Sequence, residues 1–174
     1  MPLKILPDEY PEYYKIYVDL VKDYNILDTL GASSTELQNL LKNISDEDAD
    51  KSYAFGKWTI KEIVGHLLDT ERIFTSRALR IARGDRQRLP GFEQEDYVKN
   101  AKFFQRKLDD LIQELLLVRA SDLMLFRSFD DVDLMQRGYV SDYEVTVNGI
   151  LYILAGHELH HINVIRTLYL PFKK

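Results

Sequence analysis

The sequence predicts an all-α protein, a four-helix bundle, on three observations. Apolar residues recur at helical spacing over several long stretches, glycine is sparse at 8 residues in 174, and no convincing strand run or hairpin turn appears. Long amphipathic segments without strand–helix alternation bury their apolar faces by packing on one another. With 45% hydrophobic content the chain can bury a sizeable core, and residues 1–174 are expected to form one domain.

The elements follow in order. Residues 8–22 carry aromatics at mixed spacing and read as a short helix feeding the first bundle helix, where Leu27, Leu30, Leu37, Leu40 and Leu41 recur through residue 43. Gly31 and the pair Ser33-Ser34 weaken that helix locally, since glycine costs roughly 1 kcal/mol relative to alanine inside a helix. After a polar, turn-like segment, Thr59-Ile60-Lys61-Glu62 has the pattern of a capping box. A second helix therefore starts near residue 60, places Ile63, His66, Thr70, Phe74 and Arg77 on one broad face, and stops at Gly84. Pro90-Gly91 marks a turn before a third amphipathic stretch from about Asp96 to Val118. Residues 120–143 open with a segment suited to a short helix. The rest has no dominant period and is longer than an ordinary bundle loop, a length often tied to function. The last element, from about Thr146 to Leu170, is apolar around most of its circumference, as a central buried helix requires.

Composition removes several functions. Cysteine is absent, which excludes disulfides, thiolate metal sites and a cysteine nucleophile within this chain, so any metal must sit on nitrogen or oxygen. The formal charge of −5 and the lack of a basic stripe argue against nucleic acid as a partner. No window approaches the roughly 18 uninterrupted apolar residues of a membrane span, and the N-terminus lacks a signal-peptide pattern, so a cytoplasmic protein without membrane partners is expected.

Of the four histidines, His157, His160 and His161 fall within one short stretch of the last helix. Residues four apart share a helical face, so His157 and His161 can aim their imidazoles at one point. A metal held in a bundle core needs at least a third ligand from a facing helix, and the remaining histidine, His66, lies mid-way along the second amphipathic helix. His66, His157 and His161 are thus the expected ligands of one divalent ion. His160 competes through its spacing of three, and otherwise packs nearby. Gly65-His66 and Gly156-His157 both place a glycine before a histidine, which suits close approach of neighbouring helices.

His157-Glu158-Leu159-His160-His161 formally satisfies the H-E-x-x-H pattern of zinc proteases. Those enzymes take a further ligand from downstream, yet the tail INVIRTLYLPFKK holds no His, Glu or Asp, and no strand suited to binding extended peptide is evident. Proteolysis is not expected. Glu158 remains a candidate general base, against a solvent-facing or ion-paired role. Asp69 is a candidate to orient a ligand or accept a proton, against an ion pair with Arg72 or Arg77. Arg77 is a candidate to bind a carboxylate, against an internal salt bridge. Trp58 and the Leu89–Tyr97 loop are candidate pocket walls, against core packing.

The ordered set Gly56-Lys57-Trp58-Thr59-Ile60-Lys61-Glu62, Gly65-His66 with Asp69 and Glu71, Arg77, Ala82-Arg83-Gly84-Asp85, Leu89-Pro90-Gly91-Phe92 and Ala155-Gly156-His157-Glu158-Leu159-His160-His161 resembles the DinB-like (DinB/YfiT-type) superfamily of metal-binding four-helix bundles. The resemblance spans most of the chain. It implies up-down-down-up connectivity, a site for zinc, nickel or a similar ion on His66, His157 and His161, and a homodimer. It also implies an enzyme that uses a low-molecular-weight thiol on a small-molecule substrate.

Three imidazoles suit zinc, nickel, iron and copper alike, and leave at least one position open for water or a thiol. Such an ion lowers the pKa of the bound group and makes it a nucleophile, so thiol transfer and hydrolysis are both expected chemistries. The alternative is a non-catalytic metal-binding or stress-response protein whose ion is structural.

Overall fold

The computed structural model describes residues 4–170. Four long helices carry the fold. Asn25 starts the first, α1 (Ile26–Leu41), by accepting the amides of Leu27 and Asp28. The expected capping box opens α2 (Ile60–Ala82): the Glu62 amide donates to Thr59 Oγ1 at 3.2 Å and the Thr59 amide to Glu62 Oε2 at 2.7 Å. Gly84 then leaves the helix with φ at +79°. The third long helix, α3, covers Leu108–Arg127, and α4 covers Val147–Val164 before a π-helical turn over Ile165–Tyr169.

Two expectations are corrected. The third amphipathic stretch is two elements, a helix over Gln94–Ala101 and then α3, which also absorbs the segment expected to be separate. Between them Lys102 adopts φ +55°, and a 3-10 turn over Phe103–Gln105 buries the Phe103 ring. The second correction is a β-hairpin in the stretch without dominant period. Strands β1 (Arg137–Val140) and β2 (Tyr143–Thr146) pair antiparallel, Arg137 opposite Thr146 and Val140 opposite Tyr143. Each strand is too short to show clean alternation, and the turn through Ser141, at φ +52°, lacks the Asn-Gly or Asp-Gly signal. Leu89 lies beside Val140 as a parallel bridge, which ties the hairpin to the loop after α2.

Both α1 and α2 pack against α3 and α4, so the consecutive pair α1 and α2 sit diagonally across the bundle. The N-terminal segment ends in a short helix, Lys15–Val18, laid on α4. Glu9 anchors that segment: its buried carboxylate accepts from Thr146 Oγ1 at 2.8 Å and Asn148 Nδ2 at 3.0 Å. Neither glycine before a histidine seats another long helix. Gly65 faces the Phe103 ring and Gly156 faces the backbone carbonyl of Tyr17, so both admit connecting segments.

The core divides into two apolar clusters, one around Leu30, Phe74, Leu123 and Ile150, the other around Leu37, Val64, Leu115 and Ile162. Along every long helix the switch between clusters falls at buried polar residues: Ser33, Glu71, Arg119 and Glu158. A polar layer therefore crosses the waist of the bundle. Among the described residues, no helix is long and apolar enough to cross a membrane.

Candidate metal centre

The histidines stand at this waist. α2 and α4 face each other so that His66 Nε2 lies 3.0 Å from His157 Nε2, and His161 Nε2 lies 3.1 Å from the same atom. All three offer a ligand atom within 4.8 Å of the others, the one such group among the described residues. His66 and His157 are buried and His161 partly so. Burial holds the imidazoles neutral: it lowers the pKa of His66 to about 4 and that of His161 to about 3, with His66 and His160 adding to the latter. His157 lies well below its usual value, first through burial and then through the neighbouring imidazoles. The Nδ1 atoms of His157 and His161 are buried without hydrogen-bond partners.

Aromatic rings fix the three imidazoles. Trp58 lies 4.8 Å from the His66 ring and stacks on His161 at 21°. The Tyr17 ring meets His157 edge-on at 5.3 Å. His160 does not join the group; its ring sits between Tyr17 and His161, at 5.3 and 5.2 Å.

Two cavities open onto the triad from different sides. One, of about 310 Å³, reaches His66 and His157 between the tyrosines of the N-terminal segment and Phe74. The other, of about 260 Å³, reaches His161 and His160 beside Trp58 and Tyr169. Gln94 lines both, and Trp58 Nε1 donates to Glu95 Oε2 at 3.1 Å. Trp58 and the Leu89–Tyr97 loop thus supply cavity walls.

The two candidate carboxylates lie outside the triad's group. Glu158 is buried and accepts from Arg119 Nη1 at 2.8 Å and from Ser33 Oγ. Asp69 is half-buried with no hydrogen-bond partner among the described residues; burial raises its pKa, against the nearby charge of Arg72.

Arg119 is the residue sequence reasoning missed. It holds Glu71 with two bonds, Nε to Oε1 at 2.6 Å and Nη2 to Oε2 at 2.8 Å, and also donates to the carbonyl of Leu30. It thereby joins all four long helices at the waist. Burial opposes its charge, but Glu158 and Glu71 outweigh that and raise its pKa. The available signal was position: Arg119 occupies a core place in the series Leu108, Leu111, Ile112, Leu115, Leu123, Phe126.

Fold and site together define a helical bundle with a three-histidine group suited to a metal ion. The chain belongs to the DinB superfamily, whose family model matches residues 29–165. Among solved structures it is similar to YfiT from Bacillus subtilis, described as a probable metal-dependent hydrolase with an unusual four-helix bundle topology. The two share 17% identity over 95% of this chain and 91% of that one, with a TM-score of 0.74, a likeness of fold. No curated protein matches this chain.

Proposed function

We propose that the protein is a metal-dependent enzyme in which His66, His157 and His161 hold one divalent ion, zinc or nickel, and which directs a water or an external thiol at a small electrophilic substrate. The observation that carries this reading is the convergence of three neutral Nε2 atoms. A neutral Nε2 has either one proton or one lone pair, so His157 cannot satisfy both neighbours by hydrogen bonding alone. Three nitrogens about 2.0–2.1 Å from a shared tetrahedral ion lie roughly 3.3–3.4 Å apart; His157 Nε2 lies 3.0 and 3.1 Å from the other two, and all three ligand atoms are within 4.8 Å of one another. Such an ion, when bound, lowers the pKa of water or a thiol toward neutrality.

The chain's own groups supply the rest. The tyrosine-lined cavity positions the substrate against His66 and His157. The cavity beside Trp58 admits the second reactant from the His161 side, and a thiol must come from outside because the chain has no cysteine. Glu158 is assigned to holding α4 in register through Arg119, whereas Asp69 lines neither cavity, lies in the field of Arg72, Glu114 and Arg106, and is assigned no step. Hydrolysis draws further support from the description of YfiT.

The proposed order of the helices is up, down, down, up. Glu71 pairs with Arg119 and Thr75 with Asp122, so contacts advance together along α2 and α3, while Leu30 shares an apolar cluster with Leu123 and Leu37 shares the other with Leu115, as antiparallel α1 and α3 would. A homodimer accords with Leu117 and Met124, exposed about two turns apart on α3.

The test is a turnover assay on zinc- and nickel-loaded protein with activated esters, amides and a generic alkyl or aryl halide, with and without small thiols. The expected result is metal-dependent product formation that His161→Ala abolishes. Loaded protein that turns over none of these substrates contradicts the reading.

A further inference from the structure

A third cavity, of about 290 Å³, lies beyond Phe92, which also lines the triad's tyrosine-walled cavity. Three arginines, Arg72, Arg77 and Arg80, line it, and no acidic residue does. Two are neutralised: Arg72 pairs with Glu114, and Arg80 with Asp85 at 2.7 Å. Arg77 is different. It is only 6% exposed, and among the described residues its partners are the Pro90 carbonyl, at 2.8 Å from Nη2, and the rings of Phe74 and Phe92, at 5.0 and 5.6 Å.

The expected internal salt bridge is absent among the described residues. The titratable groups Arg77 feels are the phenols of Tyr14, Tyr13 and Tyr97, and burial lowers its pKa. Burying a cation is costly, and contact with two aromatic rings returns only part of that cost. One carbonyl bond leaves most of the guanidinium's five N–H groups unused, in a fork suited to an oxyanion.

We propose that Arg77 binds the carboxylate or phosphate of the small-molecule substrate, whose reactive end passes Phe92 into the tyrosine-lined cavity. This rests on the reading of the triad as a catalytic metal site. Arg77 acts as a specificity residue: it selects anionic over neutral substrates and, some three turns along α2 from His66, takes no part in the chemistry. Phe74 and Phe92, which sandwich it, also wall the triad's cavity and so connect the two ends.

The direct test is a nitrogen-detected NMR titration of the arginine side chains in metal-free protein with inorganic phosphate, benzoate and neutral benzamide. Phosphate and benzoate are expected to shift the Arg77 signal saturably, benzamide to leave it unmoved. The same response is expected in His66→Ala, so failure of the metal reading is separable from failure of this one. Arg77→Gln should weaken benzoate binding about tenfold or more. If that variant does not fold, the wild-type titration still decides. An Arg77 signal unmoved by either anion, or moved equally by benzamide, overturns the proposal. With loaded enzyme and paired esters with and without a carboxylate, Arg77→Gln should raise KM for the anionic member alone and leave kcat unchanged. An equal rise for both members overturns the specificity role.

Discussion

Arg119 donates to carboxylates from α2 and α4 and to a carbonyl of α1, so its removal strands two acids whose side chains are only 1% and 2% exposed. Breaking a buried ion pair by deleting one partner costs about 3–5 kcal/mol, because the remaining charge stays desolvated. Arg119→Leu is therefore expected to lower the unfolding free energy by that amount in urea denaturation. A loss near zero would show that Glu71 and Glu158 reorganise or take protons without cost. At this scale the sequence was legible where spacing alone constrains geometry: His157 and His161 are one turn apart wherever the helix goes. It was silent on Arg119, whose role depends on partners 48 and 39 residues away in the chain. Glu158 shows the same limit. Its place in the H-E-x-x-H run suggested a base, while the neighbouring helices supply it with a guanidinium and a hydroxyl.

The four long helices were legible because local chemistry fixes them: a capping box at Thr59, a positive-φ glycine at Gly84, apolar periodicity between. The break at Lys102 and the short hairpin were not. The first is set by burial of Phe103 beneath Gly65, and the second by pairing across a Ser141-Asp142 turn that lacks the Asn-Gly or Asp-Gly hairpin signal. Gly156 shows how connecting segments, as well as helices, fix the site. A Cβ there would stand 2.1 Å from the Tyr17 carbonyl oxygen, a backbone atom that cannot rotate away. Gly156→Ala is expected to cost about 1–3 kcal/mol of stability, read by thermal or denaturant unfolding, and to loosen Tyr17 from His157. Full stability in that variant would mean that the N-terminal helix is not seated as described.

Across the whole molecule, the apolar core holds the bundle at both ends and a polar layer crosses its middle, where Arg119 and its two carboxylates lie on the α1 and α3 side and the histidines between α2 and α4. The arrangement brings buried polar side chains from all four long helices into one zone, an expense that pairing offsets. Arg119 offsets it through its bonds to Glu71 and Glu158, and the proposed ion would do the same for the three imidazoles. Metal content, measured by mass spectrometry on protein exposed to zinc or nickel and then dialysed, tests this most directly. About one ion per chain is predicted for the wild type, with His66→Ala and His161→Ala each losing it. Wild-type protein that retains no metal, or both variants retaining as much as the wild type, would contradict it.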